Sequence, residues 1–418
     1  MQNWAANVEY STTDLRRPTS LDELRDVVTG SRRVKALGSR HSFNRAADTD
    51  GTLVSLDALV TPVEIDSAAG TVRVGAGTTH AALAGELQRH GLALHNLASL
   101  PHISVAGAVQ TGTHGSGVGN PALSAGVRAV ELVRADGSLE TVRRGDDAFG
   151  ASVVSLGSVG VVTTLELDTV PTFDVEQTIH EHLPWAAALE HLDAVLAGAY
   201  SLSFFTRYDG DGVDQVWSKH RVGDEVGLDL RELGAVRADA TKHMIPGAET
   251  AAVTQQGGVA GPWLDRLPHF RFDFTPSAGE EIQSEFLIPA EHAAAAIEGL
   301  RGIAHTFADV LMVSEIRTIA PDDAWISPSG GRQSVAFHFT WHRRPDEVLA
   351  VLPEIERVLG AFDARPHWGK VSTATHAELR RVFPRLGDFA AHVESVDPEG
   401  RFRNPFLSAS VLGEPAHV

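Results

Sequence analysis

The sequence predicts a two-domain α+β protein. Up to about Pro171, short strand patterns alternate with short helical ones and glycine-rich turns. Beyond it the runs lengthen and become β-rich, with two alanine- or leucine-rich helices between them. Strands on one side and helices on the other make a second α+β unit, and 418 residues can fill two cores. The expected division is 1–171, 172–375, and a C-terminal segment 376–418 that returns to the first domain. No repeat, low-complexity tract or long linker breaks the chain.

In the first domain, "PTSLDELRDVVTGS" has Ser20 with Glu23 three residues on, a capping box before an amphipathic helix. "RRVKALG" is a strand feeding "GSRHS". "GTLVSLDAL", "PVEIDSAAGTVRVGAG" and "RAVELVRADGSLETVRRG" are short strands with tight turns, Asp136-Gly137 being a hairpin signal. "THAALAGELQRHGLAL" is a helix, and "VVSLGSVGVVTTLELDTV" a helix end, a turn and a buried strand. In the second, "SLSFFTRYDG", "FRFDFTP", "IQSEFLIP", "VLMVSEIRTIAP" and "QSVAFHFTWH" are strands. "PAEHAAAAIEGLRGIAHTFADV" and "PDEVLAVLPEIERVLGAF" are the helices, and the last segment is helical, then irregular.

Composition removes several functions. With 35 basic against 54 acidic residues the net charge is −19, which repels phosphate backbones, so no nucleic-acid partner is expected. There are no cysteines, hence no disulfides, thiolate metal sites or cysteine nucleophiles. The N-terminal run has no apolar core of a secretory signal, and no run is long enough to span a membrane. The expected location is the cytoplasm, and the expected state a monomer. The nearest histidine groups, "HEH" (180–182) and "HFTWH" (338–342), lack metal-site spacing, so no metal is expected. Neither a G-x-S-x-G elbow nor a P-loop occurs. Lysine is scarce, only Lys35, Lys219, Lys242 and Lys370, so each draws notice.

Two glycine-rich loops remain, "LGSRHS" (37–42) and "SVAGAVQTGTHGSGVGN" (104–120). Neither has Rossmann spacing, yet glycines and hydroxyls at this density let backbone N–H groups approach a pyrophosphate. Two of them suggest a long phosphate-bearing ligand clamped between. His41 is either an ordinary loop histidine or part of that site. In "VSEIRTI", Glu315 and Arg317 project from one strand face; in "AFHFTWH", His338, Thr340 and His342 share a face opposite Phe337, Phe339 and Trp341. Glu315–Arg317 is either an exposed pair or a covered site, with Val313, Ile316 and Ile319 favouring cover. Lys370, after "RPHWG", is either solvated or functional.

Together "GSRHSFN", "NLASLPHISVAGAVQTGTHGSG", "SLGSVGVVT", "SEIRT", "HFTW" and "RPHWGK" resemble the alditol oxidases of the vanillyl-alcohol-oxidase flavoprotein superfamily, from about residue 4 to 407. The resemblance implies an FAD-binding α+β domain and a substrate (cap) domain whose sheet is flanked by helices. It implies FAD bonded covalently to His41; without cysteine only this single histidyl link is available. FAD contacts would come from Ala36, Leu37, Gly38, Ser39, Arg40 and Ser42, then Ser99, Ser104, Gly107, Thr111, Gly112, Thr113, His114 and Val162. Ser104 and the threonines would offer hydroxyls to phosphate. Arg40 departs from the glycine of better-known members, so its side chain must point away from the phosphates or pair with one.

By the same resemblance, Ser99, Glu315, Arg317, Thr340 and Lys370 would line an alditol site, Arg317 and Lys370 stabilising an alkoxide-like oxygen. A lysine lowered in pKa by a neighbouring arginine could accept the hydroxyl proton. The implied reaction turns a terminal primary alcohol of a polyol (the xylitol and sorbitol class) and O2 into an aldose and H2O2, by hydride transfer to flavin N5. The alternatives are a gulono- or galactonolactone-type oxidase or dehydrogenase, and a non-catalytic flavin or nucleotide binder.

Overall fold

A computed structural model of the protein describes residues 1–225, 227–273 and 280–414. The first part is built on a five-stranded antiparallel sheet. Its order is Glu64–Asp66, Thr71–Gly75, Val161–Asp168, Val127–Val133, Leu139–Arg143. Beside it a three-stranded parallel sheet pairs Leu15–Arg16 and Val34–Ala36 with Thr52–Val54. The hairpin predicted at Asp136-Gly137 forms: Gly137 has φ +82, a left-handed turn position that suits glycine. Asp136 Oδ1 accepts the Ser138 N–H at 2.9 Å.

The helix at Leu21–Gly30 begins as expected at Ser20, whose hydroxyl accepts the Glu23 N–H. Glu23 reaches back one residue further than a capping box requires, to the Thr19 N–H and hydroxyl. The predicted helix after Thr78 runs from His80 to Arg89, capped by the Thr79 hydroxyl.

The second sheet is larger and antiparallel in its central run. From one side it reads Asp174–Pro184, Gly212–Arg221, Ser201–Thr206, Leu311–Ile319, Ser334–His342, Glu281–Pro289. Alternation sends Ile316, Phe337, Phe339, Trp341, Ile282 and Phe286 to one face, where helices Ala293–Ile303 and Pro345–Gly360 cover them. Those helices contribute Ile297, Leu300, Val348, Leu352 and Leu359 to the same core. The opposite face therefore carries Glu315, Arg317, His338, Thr340, Gln283 and Glu285.

The predicted strand "FRFDFTP" is not seen in its described part. Phe270 makes an isolated bridge to Val253, and 274–276 lie outside the described residues. Two long strands, Asp174–Pro184 and Gly212–Arg221, were not singled out, because charged and polar residues interrupt their apolar alternation. The C-terminal helices His376–Val382 and Leu386–Val396 bury Leu379, Leu386, Phe389 and Val393 in one core with Leu24, Val28 and Val34. Ile326 and Trp368 join that core too, so the chain crosses between the halves more than once. Among the described residues, no helix is long and apolar enough to cross a membrane, and no three His, Asp or Glu side chains form a metal-holding group.

Candidate active site

A cavity of about 860 Å³ lies between the two sheets, walled by both halves of the chain. It reaches from Leu37 and Gly38 at one end to Glu315 and Lys370 at the other. Every residue nominated from the sequence lines it except Gly112. Gly112 faces the back of its loop: its φ is +69, and a Cβ there would meet Pro328 Cδ at 3.0 Å. Its place in the turn is what its conformation shows.

At the first end, strand Val34–Ala36 delivers the chain into the loop. Leu37 N–H donates to Val54 O and Phe43 N–H to Gly369 O. Between them, the N–H groups of Gly38 to Ser42 have no backbone acceptor among the described residues. Opposite stands Ser104, at the start of helix Val105–Gln110, whose buried hydroxyl has no partner. A Cβ at Gly38 or Gly107 would come within 2.5 or 2.7 Å of that Ser104 oxygen, so only glycine leaves the space open. Consecutive free N–H groups facing an unpartnered hydroxyl across a glycine cradle suit a pyrophosphate. The threonines fit less well. Thr111 already donates its hydroxyl to Gly107 O at 3.0 Å, and its oxygen lies 3.2 Å from Thr113 Oγ1.

Arg40 has φ +64, the left-handed region that glycine adopts freely, and its side chain is exposed. The departure from glycine therefore carries a backbone cost at this position. His41 lies under Trp4, ring centroids 4.9 Å apart and stacked, with Nδ1 3.0 Å from Ser39 O. Burial pushes its pKa down to about 4, with the Ser39 contact opposing and His102 and Arg40 adding to the shift. Its imidazole is neutral at physiological pH.

At the other end the strand register does the assembly. Glu315 pairs with His338, and His338 with Glu285, so the three lie in one row across neighbouring strands. Arg317 stands two residues from Glu315 on the same face, as predicted. Its partners differ from the expectation of a simple Glu315–Arg317 pair. Arg317 Nη2 donates to Glu285 Oε1 at 2.8 Å, and Glu315 Oε2 is 3.6 Å from Nη1. Lys370 Nζ donates to Glu285 Oε2 at 2.7 Å. Ser99 Oγ accepts from Arg317 Nη1 at 3.4 Å, and Thr340 lines the cavity beside them.

Glu285 is wholly buried; burial opposes its ionisation, but Lys370, Arg317 and His114 outweigh it and hold the carboxyl well below the usual range. Glu315 behaves alike, burial being outweighed by Arg317, His269 and His338. Lys370 is lowered mainly by burial and further by Arg317, while Glu285 pulls it back. Both exposed-residue alternatives, for the Glu315–Arg317 pair and for Lys370, are therefore set aside.

Glu285 itself was missed in the sequence, as were His269 and His367. Its signal is a carboxylate in the middle of a largely buried strand, on the same face as Gln283 two residues before it. His367 sits against His114 at 5.9 Å between ring centroids, and burial holds it neutral.

Residues 15–143 match the family described as FAD binding domain, and residues 277–410 match D-arabinono-1,4-lactone oxidase. Over 411 residues, 97% of each chain, the sequence is 49% identical to an alditol oxidase of a Streptomyces species. Over 431 residues, 98% of each, it is 29% identical to an L-gulono-1,4-lactone dehydrogenase of Mycobacterium tuberculosis. A crystal structure of cholesterol oxidase from B. sterolicum superposes with TM-score 0.78 at 13% identity, covering 98% of this chain and 96% of that one; this likeness concerns the fold alone. The chain thus belongs to the vanillyl-alcohol-oxidase/aldonolactone-oxidase family of FAD-dependent oxidoreductases.

Proposed function

We propose that the protein oxidises the terminal primary alcohol of an alditol to the aldose, reducing O2 to H2O2, with FAD bonded to His41. The observation that carries this reading is one cavity holding, at opposite ends, the open N–H loop with neutral His41 and the buried Arg317–Glu285–Lys370 cluster. Identity of 49% to an alditol oxidase supports the same choice. In this reading 1–171 with the C-terminal segment binds FAD, and 172–375 forms the substrate cap.

Bound FAD supplies a hydride acceptor and a route for electrons to oxygen. The rest is the chain's own work. Gly38 to Ser42 and Ser104 hold the pyrophosphate. Arg317 and Lys370 bind the reacting hydroxyl oxygen and stabilise the negative charge that grows there as its proton leaves. Lys370 Nζ, its pKa lowered by burial, takes up that proton when it enters the step as the amine, and so becomes the cation that faces the growing charge. Glu285 keeps both cations in place. Glu315, Thr340 and Ser99 hold the other hydroxyls and select which carbon reacts. The cytoplasmic, monomeric working state belongs to the proposal; size-exclusion chromatography at the mass of one chain checks the second half.

The test is anaerobic: mix purified yellow protein with xylitol and follow flavin absorbance. Bleaching that reverses on admitting air is the expected result. Protein that stays oxidised with polyols but bleaches with a sugar γ-lactone would shift the assignment to the lactone branch, toward which the match over 277–410 and the M. tuberculosis relative point.

A further inference from the structure

Glu315 is also held by a chain of buried side chains given no role above, of which His269 itself borders the cavity. Lys219 Nζ, wholly buried, donates to Leu267 O at 2.5 Å and Pro268 O at 3.3 Å. Its remaining contact is His269 Nδ1 at 3.1 Å. Glu315, which despite burial is held ionised by Arg317, His269 and His338, can only accept from Nε2, so the ring proton sits there and Nδ1 is left to accept from Lys219. His269 Nε2 lies 3.0 Å from Glu315 Oε1 and donates to it, and Ser203 Oγ–H donates to the same oxygen at 2.7 Å. The ring cannot turn freely, since Phe205 and Trp217 meet it edge-on at 5.5 and 5.4 Å. The same residue's backbone N–H donates to Ser99 O at 3.2 Å. One residue therefore ties the Glu315 strand to the Ser99 loop on the opposite wall.

We propose that His269, backed by Lys219 and helped by Ser203, is a positioning residue for polyol recognition. It occupies Glu315 Oε1 and so leaves Oε2 turned toward Arg317 and the cavity, where the hydroxyls remote from the reacting carbon bind. The inference rests on the alditol reading above. Burial pushes His269 down to about 4, so the ring is neutral and carries a single proton to place. A hydrogen bond to an ionised group that loses its geometry weakens binding by about ten- to a hundredfold.

His269→Gln and His269→Asn separate this from a packing role. The glutamine amide reaches where Nε2 was and keeps the Glu315 contact. Asparagine reaches only where Nδ1 was, and keeps Lys219 alone. Kd for xylitol, from the concentration dependence of anaerobic flavin bleaching, and Kd for 1,2-propanediol, which lacks remote hydroxyls, are measured for each. The expected result is that His269→Asn weakens xylitol binding about ten- to a hundredfold and spares the diol. His269→Gln should recover most of the loss. Should His269→Asn fail to fold, Ser203→Ala removes the other Oε1 donor and leaves the core filled. It should weaken xylitol binding in the same selective way. Equal effects of Asn and Gln, equal losses for xylitol and the diol, or unchanged binding in Ser203→Ala would overturn the inference and leave the alditol reading standing. A wild-type protein bleached by no polyol overturns both.

Discussion

Replacing Glu285 by glutamine removes the one charge that both Arg317 and Lys370 contact directly. Its carboxylate is wholly buried and accepts from Arg317 at 2.8 Å and from Lys370 at 2.7 Å. Glutamine fills the same volume but leaves Arg317 with Glu315 at 3.6 Å and Lys370 with the more distant charge of Glu281. Breaking a buried pair in this way costs about 3–5 kcal/mol. An unfolding entropy of roughly 2.1 cal/mol/K per residue, taken over the whole chain, converts that to a Tm lower by about 3–6 °C. A second effect is independent of stability. Glu285 opposes the lowering of the Lys370 pKa, so its loss drops that pKa further and moves the pH dependence of flavin reduction to lower pH. Thermal unfolding by circular dichroism reads the first effect, and anaerobic stopped-flow bleaching across pH reads the second. A Glu285→Gln protein with an unchanged Tm and an unmoved pH profile would refute the argument that this carboxylate holds the cations.

Lys370→Met should keep its flavin yet lose about 10²–10³ in reductive rate, the size expected for one oxyanion-stabilising donor; a near-normal rate would remove Lys370 from the chemistry. His41→Ala should release its flavin on acid precipitation, whereas yellow colour left in the pellet would show that the tether lies elsewhere. His80 and His269 have folded pKa values near 4 against an ordinary 6.5, so the unfolded chain binds more protons between these limits. Stability is full above about pH 6.5 and falls on acidification toward pH 4, by about 3 kcal/mol for each histidine. A Tm that stays flat from pH 7 to 4.5 would contradict this.

What could be read beforehand was what depends on local pattern. Alternation alone put Glu315 with Arg317, and His338 with Thr340, on shared faces, because a strand's period of two needs no knowledge of its neighbours. Three of the four lysines noticed for their scarcity turn inward, while Lys242 pairs with Glu181 nearer the surface. The three are Lys35, Lys219 and Lys370, Lys35 holding the carbonyls of Leu156, Gly157 and Phe402. Glu285 was hidden because its meaning is a matter of register. Only the pairing of its strand with Ser334–His342 brings it level with His338 and Glu315, and only the turn before Lys370 folds that amine onto it. His367 N–H donates to Glu285 O and Val371 N–H to Gln283 O, which lays that turn along the same strand. Long-range pairing of this kind leaves no mark within either segment. Gly112 shows a further reason for glycine in such a loop, since its positive φ and the nearby Pro328 ring leave no easy place for a side chain.

The charges themselves argue for function over stability. Glu285, Glu315 and Arg317 are buried on one sheet face, Lys370 reaches Glu285 from the turn beside it, and a further buried lysine, Lys219, stands behind them. Apolar side chains of similar volume would hold these strands together equally well or better, since desolvating each ion costs several kcal/mol before any attraction is counted. The helix-covered face of the same strands shows that alternative, packed with Phe337, Phe339, Trp341 and Phe286. A face that keeps ions where its reverse keeps aromatics must use them, and the use that fits is a fixed electrostatic environment set before the substrate arrives. Arg317 is the pivot, because among the described residues it joins Glu285, Glu315 and Ser99. It joins the cations that meet the reacting oxygen to the carboxylate that reads the remainder of the polyol. Chain-length preference and rate should therefore change together when Arg317 is altered, and separately when the change falls on His269 or Lys370.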